Sequence, residues 1–379
     1  MKLTPHYHRE MEVPQKGTIF LLGPRMVGKT TLLAGLPHSL SYNLLEPQTE
    51  LELRSRPGKL LEDLAQLAPG ERVFIDEIQR VPELLNVVQI GIDKHQLDFA
   101  LSGSSARKLK RGRANLLGGR AIVRTLLPLT MKEMGKSFDL ASVLQLGSLP
   151  KIVAEFQMGG FERARDYLDS YAITYIREEI QAEAIVRTLG AFQRFLPIAA
   201  ESNGQTIVFS NIARESSTPS STVKEYYQIL EDTLLGFFLW PYDRKERKKS
   251  RPKFYFFDTG VVRVLQGRLG TPMNSVERGI LFETWMVNEV VRINEYLGKR
   301  LELSFWREHR HEVDLLISRA GEVLCGVEIK SGRSGLAEAT RRKFQARFPN
   351  APLYTVSLAG KSQGETLTYP DFLEWFRRL

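Results

Sequence analysis

The sequence predicts an α/β protein: a mostly parallel N-terminal sheet, then a helical stretch, then a second and smaller α/β unit. Three observations carry that expectation. Short, largely apolar runs at 17–22, 72–77 and 97–105 have the length of strands buried on both faces. They alternate with segments of helical period such as 83–95, the pattern of parallel strands joined by crossover helices. From 161 to 200 apolar residues recur at helical spacing with few breakers, and from 276 a long helix precedes strand-like runs at 303–306, 312–318 and 322–329.

The 379 residues suffice for two or three domains, each with its own core. No apolar stretch reaches the roughly 18 residues a membrane span needs, and the start has no apolar run of signal-peptide length. With a single cysteine, Cys325, in an apolar run, these features predict a cytoplasmic protein without a membrane partner. Lys plus Arg number 53 against 44 Asp plus Glu, so the net charge is +9, a moderate bias toward polyanions such as nucleic acid.

The first apolar run ends in Gly23-Pro24-Arg25-Met26-Val27-Gly28-Lys29-Thr30, a complete G-x-x-x-x-G-K-T between a strand and a helix that begins Lys29-Thr30-Thr31. Glycines at both ends let the backbone curl so that successive amides and a helix N-terminus face phosphate oxygens. Lys29 is then placed to neutralise phosphate charge and Thr30 to ligate Mg²⁺, which makes ATP with Mg²⁺ the expected cofactor pair. Asp76 ends the second apolar run, where a carboxylate holds the same Mg²⁺, and Glu77 beside it is placed to polarise an attacking water. The third run ends in Ser102-Gly103-Ser104-Ser105, whose Ser104 hydroxyl is a candidate contact for the γ-phosphate or the water.

Together Lys29, Asp76-Glu77-Ile78-Gln79, Leu101-Ser102-Gly103-Ser104-Ser105 and Leu116-Leu117-Gly118-Gly119-Arg120 resemble the prokaryotic AAA-type P-loop ATPases, AAA+ or STAND-like, that carry a fused C-terminal domain. The resemblance spans nearly the whole chain. It implies a P-loop NTPase sheet, a homo-oligomer with a hexameric ring as one arrangement, and an arginine finger acting on a neighbour's nucleotide. Arg120 matches the finger's place, with Arg113 as second choice. The sensor position, usually asparagine, is serine here.

Residues 207–215 and 222–230 read as two helices around a Ser/Thr/Pro turn, and Ser220-Ser221-Thr222 ahead of Val223, Tyr226, Ile229 and Leu230 gives the second helix a short polar start and an apolar back. This segment resembles a winged helix. The run 244–253, with seven cations in ten residues, fits its β-hairpin wing and contact with DNA phosphate, or alternatively a solvated loop.

In the C-terminal unit Asp314 lies inside one strand-like run and Glu328-Ile329-Lys330 ends the next. A period of two sets Glu328 and Lys330 on one face, strand pairing brings Asp314 beside them, and Glu283 on the preceding helix adds a third carboxylate. Such a group can hold Mg²⁺ between Asp314 and Glu328 (with Glu283) while Lys330 stabilises charge on a scissile phosphate. It can equally be a salt-bridge network or a DNA-gripping relic. The order helix glutamate, aspartate, E-x-K resembles the PD-(D/E)XK nucleases, of restriction-endonuclease-like fold. His309 and His311 are further candidate phosphate contacts.

The expected division is therefore 1–135 as an AAA-like P-loop ATPase domain, 136–200 as a helical connector or lid, 201–262 as a winged helix-turn-helix and 263–379 as a PD-(D/E)XK-like domain. The favoured function is an ATPase that binds and processes duplex or branched DNA. The alternative is a STAND-like signalling switch whose C-terminal domain is an inactive DNA- or partner-binding unit, although the sensor repeats usual in that class are not visible.

Overall fold

The computed structural model describes residues 7–104, 117–172, 189–243, 251–332, 336–358 and 360–379. The chain divides into two compact units, residues 11–127 with 232–235, and residues 1–10, 128–231 and 236–379.

The first unit contains β1 (Thr18–Leu22), α1 (Lys29–Ala34), β2 (Leu40–Asn43), α2 (Pro47–Ser55), α3 (Gly58–Leu64), β3 (Arg72–Asp76), α4 (Leu84–His95), β4 (Asp98–Gly103) and β5 (Ala121–Thr125). Its five strands form one sheet in the order β2-β3-β4-β1-β5, and every pairing is parallel. Strands β1 and β3 are buried along their whole length, which is why their centres read as apolar runs. The sheet buries Phe20, Val73, Ile75, Phe99 and Leu101 against Leu60 and Leu64 of α3 and Leu84 and Val88 of α4. Gly91 on α4 is set close to the sheet, since a Cβ there would stand 2.7 Å from the Phe99 ring. Because β4 lies between β1 and β3, the C-terminal ends of these three strands converge on one edge.

In the second unit the described helices are α5 (Met131–Met134), α6 (Leu140–Leu146), α7 (Pro150–Ser170), α8 (Leu189–Glu201), α9 (Phe209–Glu215), α10 (Ser220–Asp232, whose last residue belongs to the first unit), α11 (Thr259–Leu265), α12 (Ser275–Tyr296), α13 (Glu338–Arg347) and α14 (Tyr369–Arg378). Its strands are β6 (Gly236–Leu239), β7 (Lys253–Phe256), β8 (Glu302–Glu308), β9 (His311–Arg319), β10 (Glu322–Lys330), β11 (Leu353–Ser357) and β12 (Thr366–Thr368). A Gly160 at φ 75° interrupts α7. Strands β6 and β7 pair antiparallel and follow the helix pair α9–α10. Val223, Tyr226, Ile229 and Leu230 are buried, as the apolar back of that second helix requires. Tyr226 and Tyr227 pack edge-on or tilted against Phe192, Phe195 and Phe254.

The C-terminal sheet runs β12-β11-β10-β9-β8. Its β8, β9 and β10 are antiparallel neighbours, whereas β11 and β12 join parallel. Trp306, Val313, Leu316 and Leu353 pack under Phe344 of α13 and Phe348. The segments expected as separate domains at 136–200, 201–262 and 263–379 lie, apart from residues 232–235, in this one unit. Buried polar ties explain why. Asp258 accepts hydrogen bonds from the Ser148, Gly260 and Val261 amides, and Arg292 donates to the carbonyls of Leu129 and Phe257 and to Ser148 Oγ. Tyr242 N and Phe305 N bond the β6 end to β8.

Candidate functional site

At the strand ends of the first unit, the loop 23–28 turns between β1 and α1. Gly28 sits at φ 94° just before α1, a conformation that favours glycine. A Cβ on Gly23 would fall 2.2 Å from the Leu126 carbonyl oxygen, so only glycine fits beside that strand connection. Gly23→Ala is therefore expected to destabilise the protein by roughly 1–3 kcal/mol, read as a lowered midpoint in thermal unfolding; an unshifted midpoint would count against the close approach. Val27 is fully buried and anchors the loop, while Arg25 and Met26 are partly exposed. Lys29 is buried and its ammonium donates to the carbonyls of Gly23 (2.8 Å) and Pro24 (2.9 Å), with Glu77 Oε1 at 4.0 Å.

Thr30 Oγ1 donates to Asp76 Oδ2 at 2.9 Å, which sets a hydroxyl and a carboxylate side by side. That is a hard-oxygen pair of the kind Mg²⁺ takes alongside phosphate oxygens and water, and the exposed Thr30 and buried Asp76 fit that ion. Thr31, next on α1, is exposed. The Ser102 hydroxyl, one strand over on β4, donates to Asp76 Oδ1 and accepts from the Glu77 amide at 2.9 Å. Glu77 adopts φ 58°, unusual for a residue with a side chain, and this swings it out of β3 onto the rim of the loop. Gln79 Nε2 bridges Glu77 Oε2 and Ser104 Oγ, the latter at 2.8 Å. The structure thus joins Lys29, Thr30, Asp76, Glu77 and Ser104 in one connected network, buried except at Thr30. It adds Ser102 and Gln79, whose roles the sequence did not single out although both lie in the strand ends that drew attention.

Arg120 is exposed, immediately before β5, and pairs with Asp93 of α4 at 2.7 Å. Arg113 lies outside the described residues.

The second cluster lies in the other unit. The antiparallel register that sets Val327 opposite Leu315 brings Asp314 and Glu328 to neighbouring strands at one level, and Asp314 Oδ2 accepts from Ile329 N at 2.9 Å. Lys330 Nζ meets Glu328 Oε1 at 2.5 Å. Glu283 arrives from α12, so all four residues picked from the sequence converge. Two more come from β7. The Lys253 ammonium lies 3.0 Å from Glu283 Oε1, 2.9 Å from Glu312 Oε1 and 3.6 Å from Asp314 Oδ1, and Tyr255 donates to Glu283 Oε1 at 2.6 Å.

Burial, with Glu283 adding repulsion, pushes the Asp314 carboxyl up to about 8 despite Lys253. Burial raises Glu328 as well, against the pull of Lys330. Burial also acts to raise Glu312, yet Lys253 and Arg307 outweigh it and hold that carboxyl below its ordinary range. For Lys253 burial favours the neutral amine, but Glu283, Asp314 and Glu312 keep it charged well beyond the usual lysine range.

The sequence sets Lys253 among the cations facing DNA phosphate. It is instead 4% exposed and turned into the carboxylates, because β7 carries it inward on the same face as Tyr255. The residues 244–250 lie outside the described residues. His311 is likewise not a surface contact: it is buried, with Nδ1 2.9 Å from Thr340 Oγ1. Among the described residues no three His, Cys, Asp or Glu side chains are disposed to hold a metal ion together. At Asp314 the oxygens already meet an ammonium and an amide, so this donor set does not fit a divalent ion as it stands. No helix among the described residues is long and apolar enough to cross a membrane.

Residues 15–135 match the AAA domain family, so the N-terminal segment is an AAA-type P-loop domain. Residues 137–271 and 278–363 match two domains of unknown function, DUF8612 and DUF4143. An uncharacterized protein of Mycobacterium tuberculosis is 26% identical over 358 residues, covering 89% of this chain and 78% of its own length. The Holliday junction branch migration complex subunit RuvB of Lactococcus lactis subsp. cremoris is 33% identical over 93 residues, 24% of this chain and 27% of that protein. Among solved structures, the Aeropyrum pernix ORC1 protein in complex with DNA covers 68% of this chain and 87% of its own at 13% identity, with a TM-score of 0.28.

Proposed function

We propose that the chain is a nucleotide-dependent ATPase that acts on DNA, with the P-loop domain as its switch and the second unit as its DNA-engaging part. One observation carries the ATPase reading: Lys29, Thr30, Asp76 and Glu77 form a connected network at the ends of β1 and β3, behind a loop only glycine can close. On this reading the amides of 23–30 and Lys29 receive ATP phosphates, and Thr30 and Asp76 hold Mg²⁺, which supplies charge neutralisation when bound. Glu77 orients the attacking water, and Ser104 is a γ-phosphate contact. Arg120, exposed at the head of an edge strand, acts on the nucleotide of a neighbouring subunit in a homo-oligomer.

DNA is supported as the partner by the +9 charge, by the helix pair α9–α10 followed by an antiparallel pair, and by the limited similarity to RuvB, itself a Holliday junction protein by name. The face of α10 opposite its buried residues presents Ser220, Ser221, Lys224 and Gln228, the short and long polar donors suited to phosphate and base edges. ATP turnover measured with single-stranded, duplex and branched DNA tests the assignment: stimulation by one of them is expected, and turnover indifferent to all three would move the protein to the signalling-switch reading.

Binding to phosphate also makes affinity depend on salt. Replacing Lys245, Arg247, Lys248 and Lys249 by Ser is expected to flatten the plot of log affinity against log salt by about 0.9 for each phosphate no longer neutralised. Fluorescence anisotropy between low and moderate salt checks this. An unchanged slope would place the DNA elsewhere on the protein.

A further inference from the structure

Metal-dependent phosphodiester cleavage needs a divalent ion held by two or more carboxylates with lone pairs to spare, since Mg²⁺ takes six oxygens and Ca²⁺ six to eight. In the C-terminal cluster most of those lone pairs already face cations of the chain itself. Three carboxylates from two elements, Glu283 on α12 and Glu312 and Asp314 on β9, converge on the Lys253 ammonium at 2.9 to 3.6 Å. A lysine ammonium is a compact charge with three hydrogens, and here it lies within hydrogen-bond reach of Glu283 and Glu312 and forms a longer ion pair with Asp314. Three further oxygens are also committed, Asp314 Oδ2 to Ile329 N, Glu312 Oε2 to Arg307 and Glu328 Oε1 to Lys330, while the buried Glu328 Oε2 has no hydrogen-bond partner. The lysine has almost no path to water, being 4% exposed.

We propose that Lys253 is the resident cation of this cluster, occupying the position between carboxylates that a divalent metal would take, so that the C-terminal unit is metal-free and engages its partner without cutting it. The lysine also locks β7, and with it the β6–β7 pair, onto α12 and β9, so one side chain both fills the site and ties the elements of this unit together. The inference stands on the cluster alone and is independent of the ATPase reading.

Mn²⁺ binding to the full, nucleotide-free chain, followed by the electron paramagnetic resonance of free Mn²⁺, tests it in a Thr30→Ala background that weakens the P-loop site. The same number of Mn²⁺ ions is expected to bind with and without Asp314→Asn. Disappearance of one site on Asp314→Asn would overturn the proposal. In the converse experiment Lys253→Met is expected to lower the melting temperature and to make it respond to metal. In the same Thr30→Ala background, Mn²⁺ at about a hundredfold over its Kd should raise the midpoint of the Lys253→Met protein by roughly 5–10 °C, while the Thr30→Ala protein itself, and the Lys253→Met/Asp314→Asn combination, should not respond. A Lys253→Met protein indifferent to Mn²⁺ would equally overturn it. Should that variant fail to fold, the comparison of the Thr30→Ala protein with and without Asp314→Asn decides alone.

Discussion

Lys29→Ala is expected to abolish nucleotide binding, whereas Glu77→Gln should bind ATP normally and lose turnover by at least about a hundredfold. The two residues stand 4.0 Å apart yet face different parts of the reaction. The buried Lys29 ammonium donates to the Gly23 and Pro24 carbonyls, which hold it at the loop, where phosphate oxygens would replace those carbonyls. Glutamine at 77 keeps the shape and the hydrogen bond to Gln79 but cannot draw a proton from water. Gln79→Ala belongs to the same experiment. It removes the amide that pins Glu77 to Ser104, so kcat should fall about five- to tenfold, the worth of one hydrogen bond, with KM changed by less than about twofold. Titration with a fluorescent nucleotide and a phosphate-release assay separate binding from turnover. Full turnover by the Glu77→Gln protein would remove Glu77 from its proposed role.

The parts of this site legible in the sequence are those where one residue type is forced by local chemistry. Gly23 is dictated by a close approach that admits no side chain and Gly28 by a positive φ that favours glycine, and strand β3 is buried on both faces, so the carboxylates that close its apolar stretch, Asp76 and Glu77, mark its functional end. Interactions that depend on strand order were not legible. Ser102 reaches Asp76 only because β4 inserts between β1 and β3, and periodicity says nothing about which strands become neighbours. The same holds for β2 and β5, short edge strands with mixed exposure that show no apolar run. In the C-terminal unit the pairing of Asp314 with Glu328 followed from strand alternation, because β9 and β10 are consecutive. The position of Lys253 was hidden for a physical reason. Seven cations in ten residues look like a solvated face, and only the pairing of β7 with β6 turns the last of them inward, toward carboxylates 30 to 61 residues away in sequence.

Arg292→Met should be among the most destabilising single substitutions, costing about 3–5 kcal/mol, the usual result of removing one partner from a buried pair. The guanidinium is 1% exposed and donates to Leu129 O, Ser148 Oγ and Phe257 O, each at 2.9 Å, with Glu289 Oε1 at 3.3 Å. Glu289 in turn accepts from the Met131 amide at 3.1 Å. These bonds clasp three stretches of the second unit around α12. Burial pushes Glu289 from its ordinary 4.5 up to about 7, against the pull of Arg292 and the Met131 amide, and burial raises Asp258 in the same network. The sign follows from proton uptake. Between the unfolded and folded values the folded chain holds the proton that the unfolded chain has released, so the contribution is full below pH 4.5 and is lost as pH rises through 7. At about 1.4 kcal/mol per unit this amounts to on the order of 3 kcal/mol. Glu289→Gln should flatten that dependence and make the protein more stable than wild type at pH near 8, because the neutral amide keeps its bond to Arg292 without a buried charge. Urea unfolding at several pH values, followed by tryptophan fluorescence, reads this unit selectively: all four tryptophans, Trp240, Trp285, Trp306 and Trp375, lie within it. A Glu289→Gln protein with the wild-type pH slope, or an Arg292→Met protein within about 1 kcal/mol of wild type, far below the cost expected for a broken buried pair, would show that the clasp does not hold the unit together.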